Sequence, residues 1–236
     1  MLWLISLGIG ENSISLEGLE AGKTCQSLYL EQYTTSQFSR VELEKVFGMN
    51  IQELDRKGVE EGSLVEEAKT KDIGLLVGGD ALSATTHLAL VLDCKKQNVP
   101  YRIVHGSSIL TAIGESGLSL YKFGETITVP RPAKGFKPSG FYETILKNHE
   151  NGLHTLILLE IDMPAREGLG ILLDIEKDKS GELFKSNKIV SLSKVGSENQ
   201  IIWYGPAVKV PEGEPPAVLI LPGRLNAFEI EFLESI

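Results

Sequence analysis

Cysteine is scarce in this chain. The two that occur, Cys25 and Cys94, stand far apart with no CxxC spacing. That argues against a disulfide framework or a metal or redox pair and leaves two buried structural thiols as the expectation. Long hydrophobic runs are missing too: no apolar stretch approaches the roughly 18 to 20 residues that a membrane-spanning helix needs. The opening Met1-Leu2-Trp3-Leu4-Ile5-Ser6-Leu7-Gly8 has no basic n-region and meets a glycine too early for a signal peptide, so it reads as a first buried strand. Positive charge is in deficit, with 23 basic against 32 acidic residues and a net charge of −9. This argues against a direct nucleic-acid binder, whose affinity comes from phosphate neutralisation, and leaves a protein partner with a basic surface open. The histidines show no HxH, HxxE or HExxH spacing, so no metal site is expected. Walker loops, GxSxG elbows and Cys–His signatures are absent as well. An enzyme built this way would work mainly by positioning its reactants. The remaining expectation is a cytoplasmic globular protein, consistent with 42% hydrophobic and 23% charged residues.

Short apolar runs alternate with helical patterns through the first half. Strands are expected over residues 2–7, 27–31, 50–54, 73–77 and 99–105, and helices over 13–24, 39–47, 60–69, 83–97 and 107–115. Such alternation implies right-handed crossovers and a mainly parallel sheet covered on both faces. Near Leu120 the texture changes. Gly124, Pro130, Pro132, Gly135, Pro138 and Gly140 crowd a basic stretch at 131–137, which reads as a linker or mobile loop. This basic stretch is either solvated or part of a surface for a protein substrate. Beyond it, a helix is expected over 141–151, a strand over 155–161, a variable charged segment over 165–188 and a strand over 189–192. Hairpin material over 201–210, a strand over 217–221 and a helix over 226–232 complete the chain. The fold class expected is therefore α/β in two domains, 1–120 with a mainly parallel sheet and 121–236 with a mixed sheet.

Three turns are candidates for chemistry. Gly8-Ile9-Gly10 follows the first strand but lacks the third glycine of a dinucleotide fingerprint. It is either a tight turn or a place where a ligand approaches the backbone closely. Gly78-Gly79-Asp80-Ala81-Leu82-Ser83 follows a buried strand, which puts Asp80 and Ser83 at the carboxyl edge of a parallel sheet. There they either cap a helix or serve a ligand, with helix-start amides available to an anion. His105-Gly106-Ser107-Ser108-Ile109 repeats the pattern.

These segments, with Ala84-Thr85-Thr86-His87, Tyr121-Lys122-Phe123-Gly124, Gly152-Leu153-His154-Thr155-Leu156 and Leu221-Pro222-Gly223-Arg224-Leu225, resemble the diphthine synthase branch of the tetrapyrrole methylase superfamily. The resemblance spans nearly the whole chain. It implies a tetrapyrrole-methylase-like fold whose ligand cleft lies between the two domains, and a homodimer. The implied activity is methyl transfer from S-adenosyl-L-methionine, with S-adenosyl-L-homocysteine as product, to the amino nitrogen of a modified histidine of translation elongation factor 2. The methylation is repeated on the same nitrogen. Carried over by position, Ile9, Asp80, Ser83, Ser108 and Ile109 contact the donor from the first domain, and Leu159, Val195 and Ala217 from the second. No single catalytic side chain is expected. The alternatives are a precorrin- or uroporphyrinogen-type tetrapyrrole acceptor on the same fold, and a non-catalytic nucleotide-binding module.

Overall fold

An uninterrupted apolar run sets the most deeply buried strand of the first half. Ile73-Gly74-Leu75-Leu76-Val77 is buried at every residue, as a strand covered on both faces requires. The structure is a computed structural model that describes residues 1–34, 38–61 and 63–236, and it divides into two units, Met1–Leu110 and Thr111–Ile236.

In the first unit β1 (Leu2–Ser6), β2 (Ser27–Glu31), β3 (Ile51–Leu54), β4 (Ile73–Val77) and β5 (Tyr101–Val104) form a parallel sheet in the order β3-β2-β4-β1-β5. The two-residue alternation of a strand sends side chains to opposite faces. Leu2, Leu4, Leu75 and Val77 pack under α3 (Arg56–Glu60), α4 (Ser63–Glu67) and α5 (Leu88–Gln97). Ile5, Leu28, Leu30 and Leu76 pack under α1 (Leu16–Thr24) and α2 (Arg40–Phe47). Ser15 caps α1 by accepting the Gly18 amide at 3.0 Å. Gly22 lets α1 close on α2, since a Cβ there would stand 2.2 Å from the Phe47 ring. Cys94 belongs to the first layer and Cys25 to the second, so the sheet separates the two thiols. Burial pushes both thiols up, Cys25 to about 11.

Several expected helices are shorter in the structure. The helix expected over 60–69 is two short ones, α3 and α4, with Gly62 outside the described residues. That expected from 83 begins only at Leu88, because Ala84 takes a left-handed φ of +57° and the 80–87 segment folds around its own side chains. The one expected over 107–115 reduces to α6 (Ile109–Ala112) and a 3₁₀ turn over Ile113–Ser116.

The second unit holds β6 (Ile127–Val129), β7 (Thr155–Leu159), β8 (Lys188–Ser193), β9 (Ile201–Pro206) and β10 (Ala217–Leu221) in the order β6-β7-β10-β8-β9. Only the β6–β7 pair is parallel. The expected linker thus contributes a sheet strand, with Ile127 and Val129 in the core. A three-residue strand is too short to show periodicity, and its partner β7 lies some thirty residues on. Helices α7 (Gly140–Glu150), α8 (Ala165–Asp178), α9 (Leu183–Ser186) and α10 (Ala227–Glu234) complete the unit. The fourteen-residue α8 occupies the segment expected to be variable and charged. It buries Ala165, Leu169, Leu172 and Glu176, spaced four, three and four apart along one face. The Glu176 carboxylate accepts from the Tyr142 hydroxyl at 3.0 Å and the Phe184 amide at 2.8 Å, joining α7, α8 and α9.

Helix α8 is therefore anchored by its apolar face. Leu172→Ala, at a fully buried position, is expected to cost about 2–5 kcal/mol. Lys177→Ala on the exposed face should stay within about 0.5 kcal/mol. Urea unfolding of the two variants measures the difference.

Candidate functional site

The carboxyl ends of β4, β1 and β5 are neighbours in the parallel sheet, and the loops that leave them are fastened to one another. Gly8 and Gly79, at φ +76° and +71°, exchange two backbone hydrogen bonds of 3.0 and 2.7 Å. Left-handed backbone of this kind suits glycine. Gly106 from the third loop packs so closely that a Cβ there would lie 3.1 Å from both Gly79 O and Gly8 N. Side chains add cross-ties: Ser6 Oγ accepts the Ala81 amide at 2.9 Å, and Ser107 Oγ accepts the Ile9 amide at 3.1 Å.

Asp80 is the polar centre of this rim and is buried. Its Oδ1 accepts the Leu82 amide at 3.0 Å and the Ser83 hydroxyl at 3.1 Å. Its Oδ2 accepts the Gly106 amide at 3.2 Å and lies 2.8 Å from His105 Nδ1. Burial alone would raise the pKa of this carboxyl; the donors from Leu82, His105, Gly106 and Ser83 outweigh burial and hold it below the usual carboxylate range. Asp80 and Ser83 are therefore no cap of α5, which starts five residues beyond Ser83 with His87 at its cap position. Nor do amides at a helix start form this corner; the amides there belong to an irregular turn.

Five of the expected donor residues meet here. Ile9, Asp80, Ser83, Ser108 and Ile109 all lie on the three fastened loops, with Asp80 and Ser108 buried and the others half-buried. Ser108 Oγ accepts the Leu110 amide at 3.2 Å. The other three gather in the second unit. Leu159 ends β7, Ala217 begins β10, and the Lys194 amide beside Val195 donates to Pro216 O at 2.9 Å. All three thus lie at one end of the mixed sheet. The His105–Asp80 bond escaped sequence reasoning, since two residues twenty-five apart give no spacing signal. Glu31, the acid that ends β2, is fully buried and accepts the amides of Tyr33 and Thr34 at 3.2 and 3.0 Å. Its carboxylate holds its own turn, where a dinucleotide site would present an acid to a ribose. Among the described residues no group of three His, Cys, Asp or Glu could hold a metal ion.

A second polar node ties together the motifs of the second unit. Glu229 on α10 is 1% exposed. It accepts the Ser119 amide at 3.0 Å, the Asn226 amide at 2.8 Å, the Lys122 ammonium and, at 3.2 Å, His154 Nε2. The Gly223 amide donates to His154 Nδ1 at 2.8 Å, so Nε2 carries the ring hydrogen toward Glu229. Burial pushes His154 down, favouring the neutral ring. Gly223 presses on the backbone of Gly152 and Leu153, where a Cβ would stand 2.5 Å away. The segments 121–124, 152–156 and 221–225 are thus one structural assembly around a buried carboxylate.

The family model described as Tetrapyrrole (Corrin/Porphyrin) Methylases matches residues 1–210. A protein of Methanocaldococcus jannaschii named diphthine synthase is 37% identical over 251 residues, covering 99% of this chain and 98% of that protein. The diphthine methyl ester synthase of Schizosaccharomyces pombe is 34% identical over 265 residues, covering 100% of this chain and 94% of that protein. A crystal structure of diphthine synthase matches with a TM-score of 0.89 at 32% identity, covering 99% of this chain and 94% of that one.

Burial works to raise the pKa of Glu229, but Lys122, the two amides and His154 bring it down to about 2, against 4.5 for the free group. A value lowered by folding stabilises the fold above the unfolded pKa and is lost as pH falls through the folded one. The contribution, about 3 kcal/mol, is therefore present above about pH 4.5. Glu229→Gln should melt well below the wild type at pH 7, and the gap should close as pH falls toward 2. Circular-dichroism melts across that range provide the check.

Proposed function

The chain belongs to the tetrapyrrole methylase family, and from that premise we propose that it is a methyltransferase of the diphthine synthase kind. It takes methyl groups from S-adenosyl-L-methionine and places them on the amino nitrogen of the modified histidine of translation elongation factor 2. The observation that carries this reading is the Asp80-centred rim in a chain that matches diphthine synthases from end to end. The donor brings a sulfonium and an α-ammonium, and an ionised carboxylate at the rim suits a cation. Gly79, next to Asp80, has nothing within 4 Å of where a Cβ would stand, so the backbone is open to close approach. The reading assigns donor contacts to Ile9, Asp80, Ser83, Ser108 and Ile109, and to Leu159, Val195 and Ala217.

The donor supplies an electrophilic methyl group whose leaving sulfur needs no acid. The acceptor amine must lose its proton, because an ammonium has no lone pair. Holding nitrogen, methyl and sulfur in line can contribute up to about 7–11 kcal/mol through pre-paid entropy. A tetrapyrrole acceptor, rich in carboxylates, calls for free basic groups. Arg131, the first cation of the basic stretch, is instead held by Glu160, Asp162 and Glu167. The reading extends to a cytoplasmic homodimer. No helix among the described residues is long and apolar enough to cross a membrane. Helix α10 exposes Phe228, Ile230 and Phe232, an apolar surface suited to a second copy.

Incubating the chain with donor and the unmethylated factor should add mass in methyl steps that survive alkali. Mass lost in alkali marks an ester, the product named for the S. pombe relative. No added mass on the factor, with methylation of a uroporphyrinogen-type ring, would reject the reading. Asp80→Ala should weaken S-adenosylhomocysteine binding in calorimetry. Normal binding without turnover would show that Asp80 is not a donor contact.

A further inference from the structure

His105 stands out beside Asp80. The Asp80 side chain is 8% exposed and the His105 side chain 70%, with Oδ2 and Nδ1 2.8 Å apart. An ionised carboxylate can only accept, so Nδ1 carries the ring hydrogen and the lone pair sits on Nε2. A buried acid behind an exposed imidazole fixes the tautomer and turns the basic nitrogen away from the acid. The ring is placed by the same fastening that builds the rim. His105 precedes Gly106, which packs on Gly8 and Gly79, and stands three residues from Ser108.

We propose that His105 is the general base of the methyl transfer, accepting on Nε2 the proton that the acceptor ammonium must lose before each attack. The inference rests on the function proposed above and assigns a catalytic residue within that site. The N–H bond of the ammonium breaks, its electron pair stays on nitrogen, and the proton joins Nε2. The freed pair then forms the bond to the methyl carbon as the carbon–sulfur bond breaks and its electrons pass to sulfur. A cationic sulfonium becomes a neutral thioether, and the amine becomes a methylammonium. The exposed imidazolium hands its proton to water, and the cycle can repeat. A carboxylate acceptor, being already deprotonated, needs no such step.

The test uses His105→Ala and His105→Gln in the whole chain, with S-adenosylmethionine and the unmethylated factor. Nitrogen methylation is followed by mass spectrometry and S-adenosylhomocysteine affinity by calorimetry. Both variants should lose about 10²–10⁴-fold in turnover while keeping the wild-type affinity. Added imidazole should restore part of the activity of His105→Ala, since Asp80 remains to hold it. Glutamine can still donate to Asp80 but has no basic nitrogen, so it should stay slow. Turnover restored by glutamine, or affinity falling in step with turnover, would overturn the proposal in favour of a structural or donor-binding role. Unchanged turnover in both variants would overturn it outright. A wild-type chain that binds S-adenosylhomocysteine yet methylates no nitrogen would reject the function reading, and this inference with it.

Discussion

A carboxylate withdrawn from water is stable only where donors replace its hydration, and Asp80 meets that condition with four. Those donors come from two different loops. The same bonds that keep the acid ionised therefore also hold the loops after β4 and β5 at a fixed spacing. The glycines permit this closeness. At Gly8 and Gly106 a side chain would run into a neighbouring loop, and the rim would have to open. Position, charge and backbone exposure at the candidate site follow from one buried anion.

The second unit solves a comparable problem with Glu229. There the donors are a lysine, a histidine and two amides, and the acid locks a helix to the segments before and beside it. The two nodes differ in what they leave accessible. His154 is fully buried with both ring nitrogens engaged, so it has no capacity left for chemistry. His105 keeps one nitrogen turned outward. Like residue types thus do structural work in one unit and are open to reaction in the other.

Much of the architecture was legible in the sequence because buried parallel strands announce themselves as unbroken apolar runs, as residues 73–77 do. The turns of the rim were legible as glycine-marked corners at strand ends, where the sequence left cap and ligand readings side by side. Helix boundaries were not. Ahead of α5, Ala84 is in a left-handed conformation and the Asp80 carboxylate bonds both its own turn and the loop after β5, a combination that residue order alone does not display. Helix α8 was hidden because its buried Glu176 and its two glycines interrupt the apolar stripe. Strand β6 was hidden by its shortness amid prolines. The pairing of His105 with Asp80 lay beyond sequence reading altogether, since only folding brings them together.

The placement of the two cysteines has a practical corollary. Cys25 and Cys94 are sealed in separate apolar layers on opposite faces of one sheet, and both are held well away from the reactive thiolate form. Neither can reach the other while the sheet persists. Alkylation of one or the other would therefore act as a chemical clock for its own layer, reporting which side of the sheet loosens first when the protein is stressed.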